Sequence, residues 1–196
     1  MILLTIFILS LVTVFPVAAQ SVTTINFDNI PSQTYLNPNQ YQSQGVTFVG
    51  NSNYVFYSQP PFYPSHSEPN QLGTYSNEIR VNFASPVSDV GFYYTAYLQP
   101  LIFTAYDSNG VQIEQKTGVQ SYQDYNMPAL TNSYMVINKP SISYITIDGY
   151  QNWYFMIDDL SFTSGSGSIP EFPSIVLPVA AVLGLMVIFG RRKNMV

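Results

Sequence analysis

The chain has 196 residues, of which 9% are charged and 15% aromatic, and its formal net charge is −5. Ordinary soluble domains are roughly 25% charged, so this composition argues against a highly charged helical protein, and its acidity argues against a phosphate backbone as partner. The absence of Cys excludes disulfides and thiolate metal centres.

Residues 2–18 are almost wholly apolar (ILLTIFILSLVTVFPVA), and Val17, Ala18 and Ala19 then supply the small residues that a signal peptidase needs. A signal peptide over 1–19, cleaved after Ala19, is expected. No Lys or Arg precedes the apolar run, so the amino terminus alone gives the positive charge; a retained signal anchor is the alternative.

Residues 20–163 read as one all-β domain. Val, Ile, Thr, Phe and Tyr dominate it, and these side chains suit a half-buried pleated surface. Turn-forming clusters separate runs that recur every 8–14 residues, the signature of a sandwich or barrel. Strands are expected near 22–27, 45–49, 54–57, 78–83, 90–97, 102–106, 111–116, 134–137, 143–147 and 154–162. Ile79, Val81 and Phe83 alternate with Arg80 and Asn82, which fits an antiparallel sheet with one wet face. Asp107-Ser108-Asn109-Gly110 reads as a hairpin turn, because Asn-Gly accepts positive φ. Long loops are expected at 29–44, 58–76 and 117–132.

Ser164 to Ser168 is a Gly/Ser linker, and the linker with its following motif fills 164–173. An apolar run over 174–190 approaches the length needed to span hydrocarbon. Arg191, Arg192 and Lys193 open the tail 191–196, which should stay cytoplasmic by the positive-inside rule. Both ends therefore give one topology: the domain outside, at the cell surface, anchored through a C-terminal transmembrane helix. A helix buried in a partner domain is the alternative reading of the apolar run.

Pro170-Glu171-Phe172-Pro173, the apolar run and the basic cluster together resemble the archaeal PEF-type C-terminal sorting signal. That resemblance implies recognition by an archaeosortase-type enzyme, cleavage near the motif and attachment of the mature protein to the envelope. A second resemblance rests on an ordered set of motifs. These are Phe27-Asp28, Gly45-Val46-Thr47-Phe48, Pro86-Val87-Ser88-Asp89-Val90-Gly91-Phe92, Ala105-Tyr106-Asp107-Ser108-Asn109-Gly110 and Phe155-Met156-Ile157-Asp158-Asp159-Leu160-Ser161-Phe162. Together they resemble the jelly-roll, lectin-like β-sandwich domains of bacterial sorting-signal proteins. The resemblance implies a jelly roll, carbohydrate-binding relatives and no general catalytic activity.

Asp158 and Asp159 are adjacent carboxylates in an otherwise apolar strand, and burying them without partners is costly. Ca²⁺ would resolve the cost with six to eight oxygens. Asp28, Asn29, Asp158 and Asp159 are the candidate ligands, because first and last strands are neighbours in jelly rolls of this type. The alternative places Asp159 at a β-bulge accepting backbone N–H groups, with Asp158 in water. Tyr54, Tyr57, Tyr63, Tyr75 and Trp153 are candidate ligand-binding rings, since aromatic faces give contact area at low conformational cost. For any one ring, core or edge packing is the competing explanation.

His66 lies in a polar loop without a Ser-His-Asp pattern, and solvent exposure is its expected fate. These features point to a cell-surface, non-catalytic module that binds glycans or envelope polymers, assisted by Ca²⁺. The alternatives are a structural or adhesive envelope protein and, through Glu68 with Glu78 or Asp124, a glycoside hydrolase.

Overall fold

The alternating apolar positions become the inner faces of two antiparallel sheets. A computed structural model describes residues 20–58, 63–96, 99–119, 132–149 and 155–164, all within one compact unit, Ala18–Ser166. Among the described residues the strands are β1 (Ser21–Ile25), β2 (Thr34–Tyr35), β3 (Val46–Val49), β4 (Asn53–Tyr57), β5 (Asn70–Thr74), β6 (Glu78–Ala96), β7 (Leu101–Tyr106), β8 (Gln112–Thr117), β9 (Ser133–Ile137), β10 (Ile142–Gly149) and β11 (Phe155–Ser164).

The first sheet runs β2-β4-β5-β11-β6-β9, with β1 pairing the end of β11 beyond β5. The second runs β3-β6-β10-β7-β8. Strand β6 belongs to both. Its first residues pair with β3 and β10, and Val90 to Ala96 pair with β9 and β11. At the crossing Pro86 has no N–H for a ladder, and Asp89 turns the chain at φ 52°. Bent strands that change sheet are one way in which a sandwich makes its corners.

The all-β sandwich expectation is met. Ile79, Val81 and Phe83 face inward, as does the Ile145–Ile147 pair of β10. Rings from opposite sheets meet between them: Phe92 and Phe103 at 4.8 Å, and Phe83 and Phe162 at 5.1 Å between centroids. The two strands expected at 78–83 and 90–97 are one strand of 19 residues. The loops expected at 29–44 and 58–76 contain β2 and β5. The hairpin turn forms, with Gly110 at φ 78°. There the Asp107 carboxylate accepts the Asn109 and Val111 amides at 2.8 Å each, an Asx-type closure.

Edge strand β8 points Glu114 and Lys116 toward the inner side, opposite Ala105 and Phe103. Lys116 Nζ donates to the Val136 carbonyl at 2.6 Å. Inward charge on an edge strand blocks further strand addition. Ser164, expected in the linker, pairs with Ser21 at the end of β11. The signal peptide 1–19, the rest of the linker, the sorting motif, the span 174–190 and the tail lie outside the described residues. Among the described residues no helix is long and apolar enough to cross a membrane.

Candidate binding site

Two features occupy the outer face of the first sheet, and both follow from strand parity. Phe155 and Ile157 of β11 face the core, so Met156 and Asp158 face outward. Phe92 and Tyr94 of β6 face the core, so Tyr93 faces outward beside them. The segment 63–69, between β4 and β5, lies across this outer face.

Asp158 holds that segment. Its Oδ2 accepts the backbone N–H of His66 at 2.8 Å and of Ser67 at 2.7 Å, and its Oδ1 accepts the Asp159 N–H at 2.8 Å. The Ser67 hydroxyl adds longer contacts at 3.3 Å. Asp28 takes the next free amide, Asn70 N–H, at 2.9 Å. His66 is exposed, as expected, and is also engaged on two sides. Its Nδ1 lies 2.5 Å from Asp159 Oδ2, and its ring stacks on Tyr93 at 3.4 Å with an 8° interplanar angle. Asp159 sits at φ 47°, where the β11–β6 register shifts. The bulge was legible as an alternative. The carboxylate that collects amides is nevertheless Asp158, which is buried at 3% exposure rather than solvated.

Burial raises the Asp158 pKa to about 7, and the charge of Asp159 adds to the rise; the amide donors oppose it and lose. A carboxyl whose folded pKa lies above its unfolded value of about 3.9 favours the folded state below that value. The benefit disappears as pH rises through the folded pKa. Thermal stability should therefore increase as pH falls from 8 to 5, at up to about 1.4 kcal/mol per pH unit below 7. Melting curves against pH check this, and the slope should vanish in Asp158→Asn.

The four expected metal ligands do not form one shell. Asp158 and Asp159 present their oxygens to N–H groups of the crossing segment, which is the arrangement of a loop anchor. Asn29 Oδ1 accepts the Tyr41 hydroxyl at 2.8 Å. Burial, and then the charge of Asp28, push the Tyr41 pKa up, so that hydroxyl keeps its proton to donate. Among the described residues no group of three or more His, Cys, Asp or Glu gathers as a metal centre would. The Asp28 end differs. Asn70 Oδ1 is buried there without a hydrogen-bond partner, while Asn70 Nδ2 donates to the Ile30 carbonyl at 2.8 Å. Ca²⁺ takes six to eight oxygens, and the uncommitted side-chain oxygen of Asn70, the residue whose N–H Asp28 accepts, is one oxygen open to such an ion.

The second feature is an aromatic platform. Tyr54 and Phe56 face outward from β4, Tyr35 from β2, and Tyr75 follows β5. Tyr54 lies at the centre, with centroids 5.1 Å from Tyr35, 4.9 Å from Phe56 and 5.2 Å from Tyr75. Tyr35 is 62% and Tyr75 56% exposed. Gly73, opposite Tyr54 in register, makes the platform possible. A Cβ there would stand 2.6 Å from Met156 Sδ and 2.8 Å from Phe56 Cε2.

Of the expected ring residues, the structure unites Tyr54 and Tyr75. Tyr57 shares parity with Val55 and lies off the platform. Tyr63 contributes its carbonyl to Gln71 Nε2 at 2.7 Å. Trp153 lies outside the described residues. Tyr35 and Phe56 were not singled out from sequence. Phe56 was recoverable from its i+2 spacing to Tyr54, whereas Tyr35 stands in a two-residue strand inside an apparent loop.

Comparison with known proteins places the tail first. Residues 169–193 match the PEF-CTERM archaeal protein sorting domain, the class of C-terminal signal that the order of motif, apolar run and basic cluster resembled. The domain itself is similar in shape to several solved structures. The K1 cleaved adhesin domain of Lys-gingipain from Porphyromonas gingivalis W83 is 10% identical, with a TM-score of 0.45 over 72% of this chain and 97% of that one. A DUF4465 family protein from Bacteroides caccae is 10% identical, with a TM-score of 0.45 over 72% and 98%. The CBM22-1 xylan-binding domain of Paenibacillus barcinonensis Xyn10C is 12% identical, with a TM-score of 0.43 over 74% and 95%. Likenesses this distant assign neither ligand nor activity. No curated protein matches the chain.

Proposed function

We propose that this protein is a cell-surface, non-catalytic binding module for carbohydrate or a neighbouring envelope polymer, built as a jelly-roll, lectin-like sandwich. The signal 1–19 exports it, and the sorting segment delivers it to an archaeosortase-type enzyme after membrane insertion of 174–190. The observation that carries the binding role is the four-ring platform of Tyr35, Tyr54, Phe56 and Tyr75. Its two outer rings are more than half exposed, and solvent-facing rings cost surface hydration unless something covers them. The apolar face of a pyranose ring suits such a cover. Affinity electrophoresis of the full chain through gels containing neutral polysaccharides tests the role. Retardation by at least one polymer, lost in Tyr54→Ala, is expected; equal mobility in all gels would contradict it.

Of the carboxyls a hydrolase would use, Asp124 lies outside the described residues, and Glu68 and Glu78 stand at different sheets. Glu68 Oε1 accepts the Ser58 hydroxyl at 3.0 Å in the segment over the first sheet. Glu78 opens β6 in the second sheet, opposite Asp148. Structural Ca²⁺ belongs to the proposal at the Asp28–Asn70 corner. Ca²⁺ at a hundredfold excess over its Kd should add about 2.7 kcal/mol of stability, so EGTA should lower the melting temperature of the full chain. An unchanged temperature counts against the ion.

A further inference from the structure

The two sheets leave a gap on the side where β8 and β9 run as edge strands, and strand parity turns four side chains toward it. Tyr94 of β6 shares the inward parity of Phe92, and Ser133 and Met135 of β9 lie opposite Tyr94 and Phe92 in register. Lys116 of β8 lies opposite the buried Phe103 and so points the same way. With Gly118 and Val119 these residues line a cavity of about 340 Å³. Ligand sites span about 300–1,000 Å³, so this volume suits one sugar-sized molecule and not a chain.

The backbone is tied down along one wall of this cavity. The Gly118 N–H donates to the Leu101 carbonyl at 2.7 Å, and the Val119 N–H donates to the Tyr94 hydroxyl at 2.8 Å. That hydroxyl donates in turn to the Val119 carbonyl at 3.3 Å. A Cβ at position 118 would stand 2.5 Å from Tyr94 Oη and 3.0 Å from Met135 Sδ, so glycine is what lets the chain fold over the ring here. Burial pushes the Tyr94 pKa up, and its bonds to Val119 and Ser133 pull the other way without cancelling the rise.

Charge selects the class of ligand. Among the described residues that line the cavity, Lys116 alone is charged. Its Nζ donates to the Val136 carbonyl at 2.6 Å. Glu114 Oε1 stands 3.7 Å away, beyond hydrogen-bond distance, and is not part of the lining. An ammonium has three N–H donors, and the Lys116 side chain is 40% exposed, so an anionic group entering the cavity can reach it. The Ser133 and Thr117 hydroxyls offer partners for sugar hydroxyls, and the Met135 thioether gives an apolar wall. The net charge of −5 disfavours long polyanions, which narrows the anion to a single carboxylate.

We infer that the cavity between β8 and β9 is a binding site for one carboxylated sugar unit, such as a hexuronate, with its carboxylate on Lys116 Nζ and its hydroxyls toward Ser133 and Thr117. The site shares no residue with the Tyr54 platform and does not rest on the platform's binding of a neutral polymer.

The test uses the full chain in detergent with glucuronate and galacturonate as probes, glucose as the uncharged counterpart and acetate as the bare carboxylate. Amide shifts in two-dimensional NMR read location, and their titration reads affinity. At least one uronate should shift amides within 116–119 and 133–136 and bind about tenfold or more tightly than glucose or acetate. Lys116→Gln should weaken that binding about tenfold or more, and added salt should weaken it in the wild type through screening. Gly118→Ala keeps the charge but displaces the wall, and it should weaken binding as well. Unchanged amide spectra away from the substituted position show that the variants fold. Absence of shifts at these positions with both uronates would overturn the proposal, as would wild-type affinity in Lys116→Gln or equal binding of acetate. If Tyr54→Ala and not Lys116→Gln removes uronate binding, the ligand lies on the platform and the cavity is not a site. Uronate shifts at the cavity together with equal mobility in all neutral gels would keep this site and count against the platform.

Discussion

Asp158→Ala should lower the melting temperature of the protein by about 10 °C. Three part-buried backbone amides, those of His66, Ser67 and Asp159, converge on this carboxylate. Removing it leaves them without an acceptor, at about 1–3 kcal/mol each. Part of the loss is offset, because the variant no longer carries a buried acidic group whose charged form is disfavoured there. A net loss of about 3 kcal/mol remains, and a domain of this size responds with roughly 2–4 °C per kcal/mol. Asp158→Asn is the informative partner. Its Oδ1 still accepts the His66 and Ser67 amides, so most of the stability should return while the dependence on pH disappears. Calorimetry on the three proteins at pH 5 and pH 8 checks both parts. An Ala variant as stable as the Asn variant would show that Asp158 does not hold the 63–69 segment.

The triple substitution Tyr35→Ala, Tyr54→Ala and Tyr75→Ala should abolish binding at the platform, by a factor of a hundred or more. A stacking ring contributes about 0.5–1.5 kcal/mol beyond its buried area, and 1.4 kcal/mol is tenfold in affinity. Three rings in one platform therefore suffice for several hundredfold if their contributions add. Neighbours in contact do not add strictly, so a hundredfold is the safer figure. Stability should change little, because Tyr35 and Tyr75 are exposed and the inward Val55 and Leu72 that fix β4 and β5 are untouched. Single substitutions should rank with Tyr54 first, since it touches each of the other three rings. Titration of the full chain with the polysaccharide that retards it supplies the numbers.

Elements with strong alternation were readable from sequence. Ile79, Val81 and Phe83 announced β6, and Ile145 with Ile147 announced β10, because period two survives wherever one sheet face is buried. Strand β5 was not readable. Its sequence, Asn70-Gln71-Leu72-Gly73-Thr74, holds one large apolar residue, and Asn and Gly disfavour strands. Pairing with β4 and β11 and the burial of all five residues override that preference. The continuous β6 was hidden by Pro86, which reads as a break when seen alone.

The site was legible in part. Two adjacent acids in an apolar strand signalled that partners must exist, and a cation was one expected partner. The structure supplies backbone N–H groups from a segment 91 and 92 residues away for Asp158. Sequence separation of that size leaves no local trace. One signal was available: Ser65-His66-Ser67 between Pro64 and Pro69 is a short polar segment whose amides need acceptors. Tyr57 could have been separated from Tyr54 by parity, since residues an odd number of positions apart on a strand point to opposite faces.

The most direct test of the whole account is a glycan array probed with the full chain in detergent, wild type beside a variant lacking Tyr35, Tyr54 and Tyr75. The account predicts signal on one or more neutral glycans for the wild type and none for the variant. A wild-type chain silent across every glycan class, or a variant with an undiminished profile, would contradict it.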